Sequence, residues 1–257
     1  MPRQDVYLSV IVPAFNEAAR LPKTLRRLHE HLSQQPYSHE ILVVLDGPTD
    51  GTRDLVQGLR DEIPHLRFID RPINRGKGYT VREGMLAATG TIRLFSDADN
   101  STDIAHFERM RPLFQQGYDL VIASRNPKDS SGAQQAVSQV WYKRLFGKFG
   151  NLIIQGLTVP GVWDTQCGFK AFRAEVAEQI FSRATIDGWG FDIEILALAR
   201  ALGYKRGIIA AHWINDERSH FKLLDYVRVL GEIIAIRANF LTGKYAFGSS
   251  IRSRCRF

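Results

Sequence analysis

The chain alternates short apolar runs with longer stretches in which apolar residues recur at helical spacing. Short apolar runs indicate buried strands, and apolar residues three and four positions apart indicate helices that bury one face. The predicted strands are 7–13, 40–46, 66–70, 91–99 and 118–125, and the predicted helices between them are 17–32, 50–63, 76–89 and 103–116. This alternation predicts an α/β fold with a mainly parallel sheet and helices on both faces.

The second half of the chain is less regular. Segments 140–157, 164–173 and 188–202 mix aromatic, aliphatic and charged residues. The last long segment ends in a predicted amphipathic helix, one face of which carries Leu223, Val227, Leu230, Ile234 and Ala238. We therefore expect C-terminal amphipathic helices to complete the domain.

Polar clusters follow four of the predicted strands. They are Pro13–Glu17 after the first strand, Asp46 with Gly47 after the second, Asn74–Gly78 after the third, and Asp97–Asp99 at the end of the fourth. Ligands of parallel sheets bind at the carboxyl ends of the strands. The four clusters therefore predict a single cleft.

Asp97 and Asp99 are the most informative pair in that cleft. Residues two apart on a strand project to the same side, so the two carboxylates should repel one another unless a cation lies between them. Carboxylates are the ligands that Mg²⁺ and Mn²⁺ prefer beside phosphates. The pair thus predicts a metal site, and the alternative is a solvated turn in which Asn100 and Ser101 cap the next helix.

The segment Asn74–Gly78, "NRGKG", predicts a loop in which glycines allow backbone N–H groups to approach an anion while Arg75 and Lys77 add positive charge. It lacks the spacing of a Walker motif. Asp46 could accept a hydrogen bond from a nucleobase or ribose, or it could be an aspartate that merely precedes a helix.

Charge is distributed unevenly along the chain. The net charge is +7, yet residues 1–124 hold 15 Lys+Arg against 16 Asp+Glu, so the second half carries a net of +8. A basic half attracts nucleic acid, an anionic membrane surface or a phosphorylated substrate. The sequence contains no nucleic-acid motif of established spacing, so we expect no nucleic-acid partner.

Cations and aromatic rings interleave in "WYKRLFGKFG", where Lys143, Arg144 and Lys148 lie among tryptophan, tyrosine and phenylalanine. This mixture suits a helix at a membrane interface. It equally suits a core helix with a solvated basic edge. No apolar run reaches the ~20 residues that span a bilayer, and the N-terminus does not have the pattern of a secretory signal. We therefore expect a cytoplasmic protein that lies peripherally on the cytoplasmic face of a membrane.

Cysteine and histidine chemistry is not indicated. Cys167 and Cys255 have no metal-ligand spacing, and the seven histidines form no HExxH pattern. A buried apolar role is the simpler interpretation of Cys167.

Several of these motifs occur together in a known order. "SVIVPAFNE", "LDGPTDGT", "NRGKG", "DADNST", "ASR", "DTQCGFK", "GWGFDIE" and "HWIN" follow one another as in the GT-A-fold glycosyltransferases of family 2. Over roughly residues 7–243 the chain resembles the dolichyl-phosphate β-glucosyltransferases and the polyprenyl-phosphate mannose and glucose synthases of that family. The segments "DTQCGFK" and "GWGFDIE" favour the glucosyl branch.

The resemblance implies roles for individual residues. A nucleotide-sugar donor would be bound by Pro13, Ala14, Phe15, Glu17, Asp46, Arg75, Gly76, Lys77, Asp97, Ala98 and Asp99, with Mg²⁺ or Mn²⁺ on Asp97 and Asp99. The phosphate of a polyprenyl acceptor would be bound by Arg125, Lys143, Arg144, Lys148, Ser219 and His220. The catalytic set would be Asp99, Arg125, Asp164 and Asp192.

Some positions depart from the family pattern. Leu45 stands where the family usually has a first aspartate, Ser101 stands where a related branch has a glutamine metal ligand, and Ser219-His220 replaces Ser-Lys. The expected organisation is one GT-A domain over 1–243, with a donor half (1–124) and an acceptor half (125–243), followed by a basic tail at 244–257.

Three functions remain open from the sequence. The first is inverting transfer of a hexose, glucose before mannose, from UDP-glucose or GDP-mannose to a polyprenyl or dolichyl phosphate. The second is transfer to a soluble hydroxyl acceptor, which needs Asp164 or Asp192 as general base. The third is a non-catalytic module that only binds nucleotide-sugars.

Overall fold

A computed structural model describes residues 6–135, 151–213 and 223–245. The strands are β1 (Leu8–Ala14), β2 (His39–Asp46), β3 (Leu66–Arg71), β4 (Ile92–Ser96), β5 (Leu120–Ser124), β6 (Gln134–Gln135), β7 (Phe169–Arg173), β8 (Arg206–Ala210) and β9 (His212–Trp213). The helices are α1 (Leu21–Ser33), α2 (Thr52–Leu59), α3 (Lys77–Ala87), α4 (Phe107–Gln115), α5 (151–157), α6 (Ala174–Phe181), α7 (Phe191–Ala201) and α8 (Leu223–Thr242), and a 3₁₀ turn (Ile104–His106) precedes α4.

Within the described residues, seven strands form one mixed sheet in the order β3-β2-β1-β4-β7-β5-β8. Strand β7 runs antiparallel to its neighbours β4 and β5, and the other pairs in this sheet are parallel. The short strands β6 and β9 pair with each other. The mainly parallel sheet is therefore confirmed.

The predicted elements of the first half are found with small shifts at their ends. Strand β1 continues through Pro13 to Ala14, although proline favours a strand end. The segment 164–173 was not predicted as a strand, yet its last five residues form β7. Apolar patterning alone does not show that a later segment inserts between two earlier strands.

Helices cover both faces of the sheet because the strand side chains alternate. In β1, Ile11 packs with residues of α3, α6 and α7, whereas Val10 and Val12 pack with residues of α1, α2 and α4. Since both faces are covered, the central strands are apolar on both sides. This confirms the prediction of helices on both faces.

Helix α8 presents to the solvent four of the five apolar residues singled out in the sequence, and the side chain of the fifth, Leu223, lies outside those that the structure describes. Val227 is 68% exposed, Ile234 is 58% exposed, and Leu230 and Ala238 are exposed as well. The opposite stripe of Val229, Ile233 and Ile236 is buried against the domain. The helix is thus apolar on two sides, and periodicity identified the outer one. We call Val227, Leu230, Ile234 and Leu241 the outer stripe.

Two further observations concern the C-terminal region. Tyr245 is buried in the core and donates a hydrogen bond to Glu194 at 2.8 Å, so the folded part reaches at least residue 245. Across the described ranges, each helix is too short or too polar to cross a lipid bilayer.

His106 connects the turn before α4 to strand β9. Its buried ring has Nδ1 2.9 Å from the carbonyl of Asp103, and Nε2 accepts a hydrogen bond from the backbone N–H of His212 at 3.0 Å. The ring must be neutral to accept that bond. Burial and the nearby charge of Arg109 lower the pKa of His106.

We expect acid to destabilise the fold through His106. A lowered pKa means that the unfolded chain binds the proton more readily, so stability is lost as pH falls through the ordinary histidine value of about 6.5. The free energy of unfolding, measured by urea denaturation from about pH 7.5 to about pH 5.5, should fall more for the wild type than for His106→Gln. His39, whose pKa is also lowered by burial, is common to both proteins. An equal fall in the free energy of unfolding of the two proteins would contradict a role for His106.

Candidate active site

The predicted strand-end clusters meet at one edge of the sheet. Strands β2, β1 and β4 are adjacent and parallel, so Asp46, Ala14 and Asp97 lie at or just beyond neighbouring carboxyl ends. The loop before β7 joins them, since the N–H of Asp97 donates to the carbonyl of Gly168 at 3.2 Å. The polar clusters named from the sequence therefore lie at one edge of the sheet.

Lys77 supplies the positive charge beside the aspartate pair. Its Nζ lies 2.6 Å from Oδ1 of Asp97. Burial disfavours the charged lysine, but the carboxylates of Asp97, Asp192 and Asp99 outweigh this and raise the pKa of Lys77. A side chain at Gly168 would place its Cβ 2.0 Å from the Asp97 carboxylate, so a larger residue there would displace that carboxylate.

The aspartate pair fits a divalent cation held mainly by phosphate. Asp99 accepts one backbone hydrogen bond, from Ser101 at 2.9 Å. The buried hydroxyl of Ser101 finds no hydrogen-bond partner among the described residues. The carboxylates of Asp97 and Asp99, with the unbonded hydroxyl of Ser101 nearby, suit Mg²⁺ or Mn²⁺. These ions take few protein ligands in phosphate sites. The described residues contain no cluster of three or more His, Cys, Asp or Glu side chains able to hold a metal without such help.

Asp46 shapes the loop Asn74–Gly78. Its buried carboxylate accepts hydrogen bonds from the backbone N–H groups of Arg75 at 2.8 Å and Gly76 at 2.9 Å, and from the side chain of Arg71 at 2.8 Å. The N–H of Gly78 donates to the carbonyl of Asp187 at 2.8 Å. These amides are engaged within the protein. The anion that the Arg75 and Gly76 N–H groups approach in this structure is therefore the Asp46 carboxylate of the protein itself.

The loop after β1 is held to the start of α2. The N–H of Glu17 donates to Thr52 at 2.9 Å, and the Glu17 carboxylate pairs with Arg20 at 2.6 Å. Phe15 is exposed, whereas Pro13 and Ala14 are buried in β1. Ala98 is buried, and its carbonyl accepts a hydrogen bond from Thr24 at 2.6 Å.

Arg125 and Asp164 form a bidentate ion pair beside this edge. The Nε and Nη2 atoms of Arg125 each lie 2.8 Å from Asp164, whose carboxylate also accepts from the Arg125 N–H at 2.8 Å. Burial alone would raise the pKa of Asp164, but the charge and hydrogen bonds of Arg125 outweigh it and lower that pKa. Asp164 therefore fixes the orientation of Arg125.

Asp192 forms a second buried ion pair, with Lys170 of β7. Lys170 Nζ contacts Oδ1 of Asp192 and donates to the carbonyl of Cys167 at 2.7 Å. Both side chains are buried. Burial raises the pKa of Asp192, and the charges of Lys170 and Lys77 offset this only in part.

The sequence model described as Glycosyl transferase family 2 matches residues 9–181 of this chain. The chain belongs to glycosyltransferase family 2. It is similar to the dolichyl-phosphate beta-glucosyltransferase of Dictyostelium discoideum, with 32% identity over 94% of this chain and 77% of that protein. It is also similar to the human protein of the same name, with 29% identity over 93% of this chain and 77% of the relative.

Solved structures share the fold of this family 2 glycosyltransferase. Glucosyl-3-phosphoglycerate synthase from Mycobacterium tuberculosis, solved with Mn²⁺, UDP and phosphoglyceric acid, aligns with a TM-score of 0.65 at 17% identity and covers 95% of this chain and 80% of that one. TarS 1–349 of S. aureus with UDP-GlcNAc aligns at 0.55 and 17% identity, covering 95% of this chain and 74% of that one. These likenesses confirm the GT-A fold.

Five predicted residues of the glycosyltransferase lie outside the described ranges. They are Lys143, Arg144, Lys148, Ser219 and His220. Of the acceptor-binding residues, the structure therefore positions Arg125. The donor-binding and metal-binding residues named from the sequence all lie on or next to the carboxyl ends of β1 to β4.

Three residues of the site were given no role from the sequence. Lys170 was noticed only as part of a motif, although a lysine within an apolar strand is itself a sign of a buried ion pair. Trp189 lies with its ring centroid 5.2 Å from Lys77 Nζ. Glu232 reaches the same region from α8, 42 residues beyond its hydrogen-bond partner Gly190.

We expect Lys170→Met to destabilise the glycosyltransferase by about 3 to 5 kcal/mol, because it leaves the Asp192 carboxylate buried without its partner. Adding Asp192→Asn should recover part of the loss, since the remaining group is then neutral. Urea denaturation followed by tryptophan fluorescence measures both.

The matched control for this prediction is Lys205→Met, which alters an exposed lysine. Its effect should stay within about 0.5 kcal/mol. A Lys170→Met cost no larger than that of the control would contradict a buried pair.

Proposed function

We propose that this glycosyltransferase transfers glucose from UDP-glucose to a polyprenyl or dolichyl phosphate. The observation that carries the proposal is the state of the two candidate bases: Asp164 is bound by Arg125 and Asp192 is bound by Lys170, and both are buried. Neither is a solvent-facing base. A phosphate oxygen needs no deprotonation, so this arrangement suits a lipid phosphate better than a hydroxyl acceptor. The similarity to dolichyl-phosphate beta-glucosyltransferases over most of the chain supports the same acceptor and sugar.

The donor diphosphate would lie at the carboxyl edge of the sheet, beside Asp97, Asp99, Lys77 and Arg75. Asp97 and Asp99 would hold Mg²⁺ or Mn²⁺, which supplies positive charge to the diphosphate when bound. Manganese and UDP in the M. tuberculosis structure support such a donor. Lys77 and Arg75 would stabilise the negative charge that grows on the leaving group.

The bond from the sugar C1 to the UDP oxygen breaks as a phosphate oxygen of the lipid bonds to C1 from the opposite face, which inverts the anomeric centre. No proton changes place in this step. Arg125, oriented by Asp164, would bind the incoming phosphate and offset its repulsion from the donor. The chemical task is therefore to hold two anions close together.

The lipid acceptor implies work at a membrane surface. The outer stripe of α8 is exposed, and Arg228 and Lys244 at the two ends of its described surface are exposed too. Apolar residues flanked by cations suit the interface of an anionic bilayer. We propose peripheral attachment to the cytoplasmic face through this helix.

The test of function is a transfer assay with labelled UDP-glucose, a short polyprenyl phosphate and Mg²⁺ or Mn²⁺. Label that enters the lipid phase is the expected result, and GDP-mannose in a parallel reaction tests the donor. Label that enters only a soluble acceptor such as 3-phosphoglycerate would overturn the lipid acceptor. Absence of transfer and of donor hydrolysis with either metal would overturn the catalytic function itself.

In that assay we expect Asp99→Asn to lower the rate at least about a hundredfold, because it removes a charge from the metal site. The amide oxygen can still accept the Ser101 hydrogen bond, so the melting temperature should be nearly unchanged. A rate close to that of the wild type would exclude a metal role for Asp99.

Liposome sedimentation tests the membrane surface. We expect Leu230→Glu with Ile234→Glu to lower the fraction bound to anionic liposomes at least about tenfold, because it removes two apolar side chains from the interface. Wild-type binding should weaken as salt is raised. The matched control is Leu55→Glu, an exposed leucine on α2. An equal loss in the control would contradict docking through α8.

A further inference from the structure

The loop of residues 187–190 joins the start of α7 to two other parts of the molecule. On one side, the carbonyl of Asp187 accepts the N–H of Gly78 at 2.8 Å, and its carboxylate pairs with Arg82 at 2.6 Å. A Cβ at Gly76 would lie 2.5 Å from that carbonyl. The loop is therefore packed closely against the beginning of α3, which carries Lys77.

On its other side, the loop receives the carboxylate of Glu232 from α8. Oε2 of Glu232 accepts the N–H of Gly190 at 2.6 Å. A Cβ built at Gly188 would lie 2.0 Å from Oε1, and one built at Gly190 would lie 2.7 Å from Oε2. Gly190 has an ordinary φ of −74°. Space for the carboxylate, rather than backbone conformation, accounts for the glycine there.

Trp189 lies between these two glycines and forms part of the site. It is 37% exposed, and its ring centroid lies 5.2 Å from Lys77 Nζ. Lys77 Nζ in turn lies 2.6 Å from Asp97. Lys77 Nζ is therefore a common neighbour of the Trp189 ring and of the metal-site carboxylate of Asp97.

The surroundings of Glu232 are unfavourable for a negative charge. The half-buried carboxylate faces Asp187, Glu194 and Arg228 as well as the Gly190 N–H. Burial and the two acidic neighbours raise the pKa of Glu232 against the opposing effects of Gly190 and Arg228. A carboxylate kept in such a place is more often functional than one on an open surface.

We propose that Glu232 is a positioning residue for the donor site. The Glu232 carboxylate packs against Gly188 and accepts the N–H of Gly190. In this way it fixes the position of the Trp189 ring beside Lys77 and the donor sugar. The proposal rests on the proposed function, because it takes this edge of the sheet as the place where the nucleotide-sugar binds. It assigns Trp189 a contact with the donor hexose and Glu232 a role through the loop.

The test is a double-mutant cycle in the full-length protein. Glu232→Ala removes the carboxylate, and Gly188→Ala displaces it, since the atoms nearest the new Cβ all belong to the flexible Glu232 side chain. Each change should raise the KM for UDP-glucose about tenfold through misplacement of the loop. The KM for the lipid acceptor should stay the same.

If the two substitutions act through the same loop, their effects on the KM for UDP-glucose should not add. The double variant Glu232→Ala with Gly188→Ala should be no worse than the more affected single variant. Glu232→Gln retains an acceptor for the Gly190 N–H and should lie much closer to the wild type than Glu232→Ala. Glu62→Gln, on an exposed ion pair with Arg26, is the control and should leave both KM values unchanged.

Calorimetric titration with UDP-glucose and Mn²⁺ separates this proposal from the proposed function. A wild type that does not bind UDP-glucose would overturn the proposed function. A wild type that binds, with Glu232→Ala and Gly188→Ala that bind equally well, would overturn the positioning role alone. The positioning role would also be overturned if the increases in the KM for UDP-glucose multiplied in the double variant. Equal increases in the KM for the donor and for the acceptor would overturn it too. If Glu232→Ala does not fold, Gly188→Ala and Glu232→Gln still decide the question.

Discussion

Compensation of negative charge at the carboxyl edge of the sheet is the constraint on which the site depends. Asp46, Asp97, Asp164 and Asp192 all lie near this edge, and each has a basic partner: Arg71, Lys77, Arg125 and Lys170. Buried carboxylates without partners would cost several kcal/mol each. The basic side chains at this edge therefore also contribute to the stability of the fold.

The same pairing limits the chemistry. An arginine held bidentately by a carboxylate keeps its charge and its direction. The Asp164 carboxylate, whose pKa is lowered by Arg125, is a poor proton acceptor. The geometry therefore favours an acceptor that arrives already charged, as the lipid phosphates of the related enzymes do.

The sequence was sufficient for the layout of the site but insufficient for its contacts. Asp97 and Asp99 could be found because they directly follow an apolar strand, although β4 ends at Ser96 and strand alternation does not extend to them. The partner of Asp97 could not, because Lys77 lies 20 residues earlier and reaches it only through the packing of α3. The hydrogen bonds that Asp46 accepts from the loop Asn74–Gly78 could not be predicted either, because they require knowledge of that loop's path. In α8, two apolar stripes share one helix, and periodicity gives no means of deciding which stripe meets the core.

Helix α8 has a consequence for handling the protein. Its outer stripe includes Leu241, which is 73% exposed, together with Val227 and Ile234. In water without lipid, contact of the outer stripe with another apolar surface lowers the free energy of the system. That surface can be the outer stripe of a second molecule. Self-association at high concentration, relieved by mild detergent, is the behaviour that this surface favours.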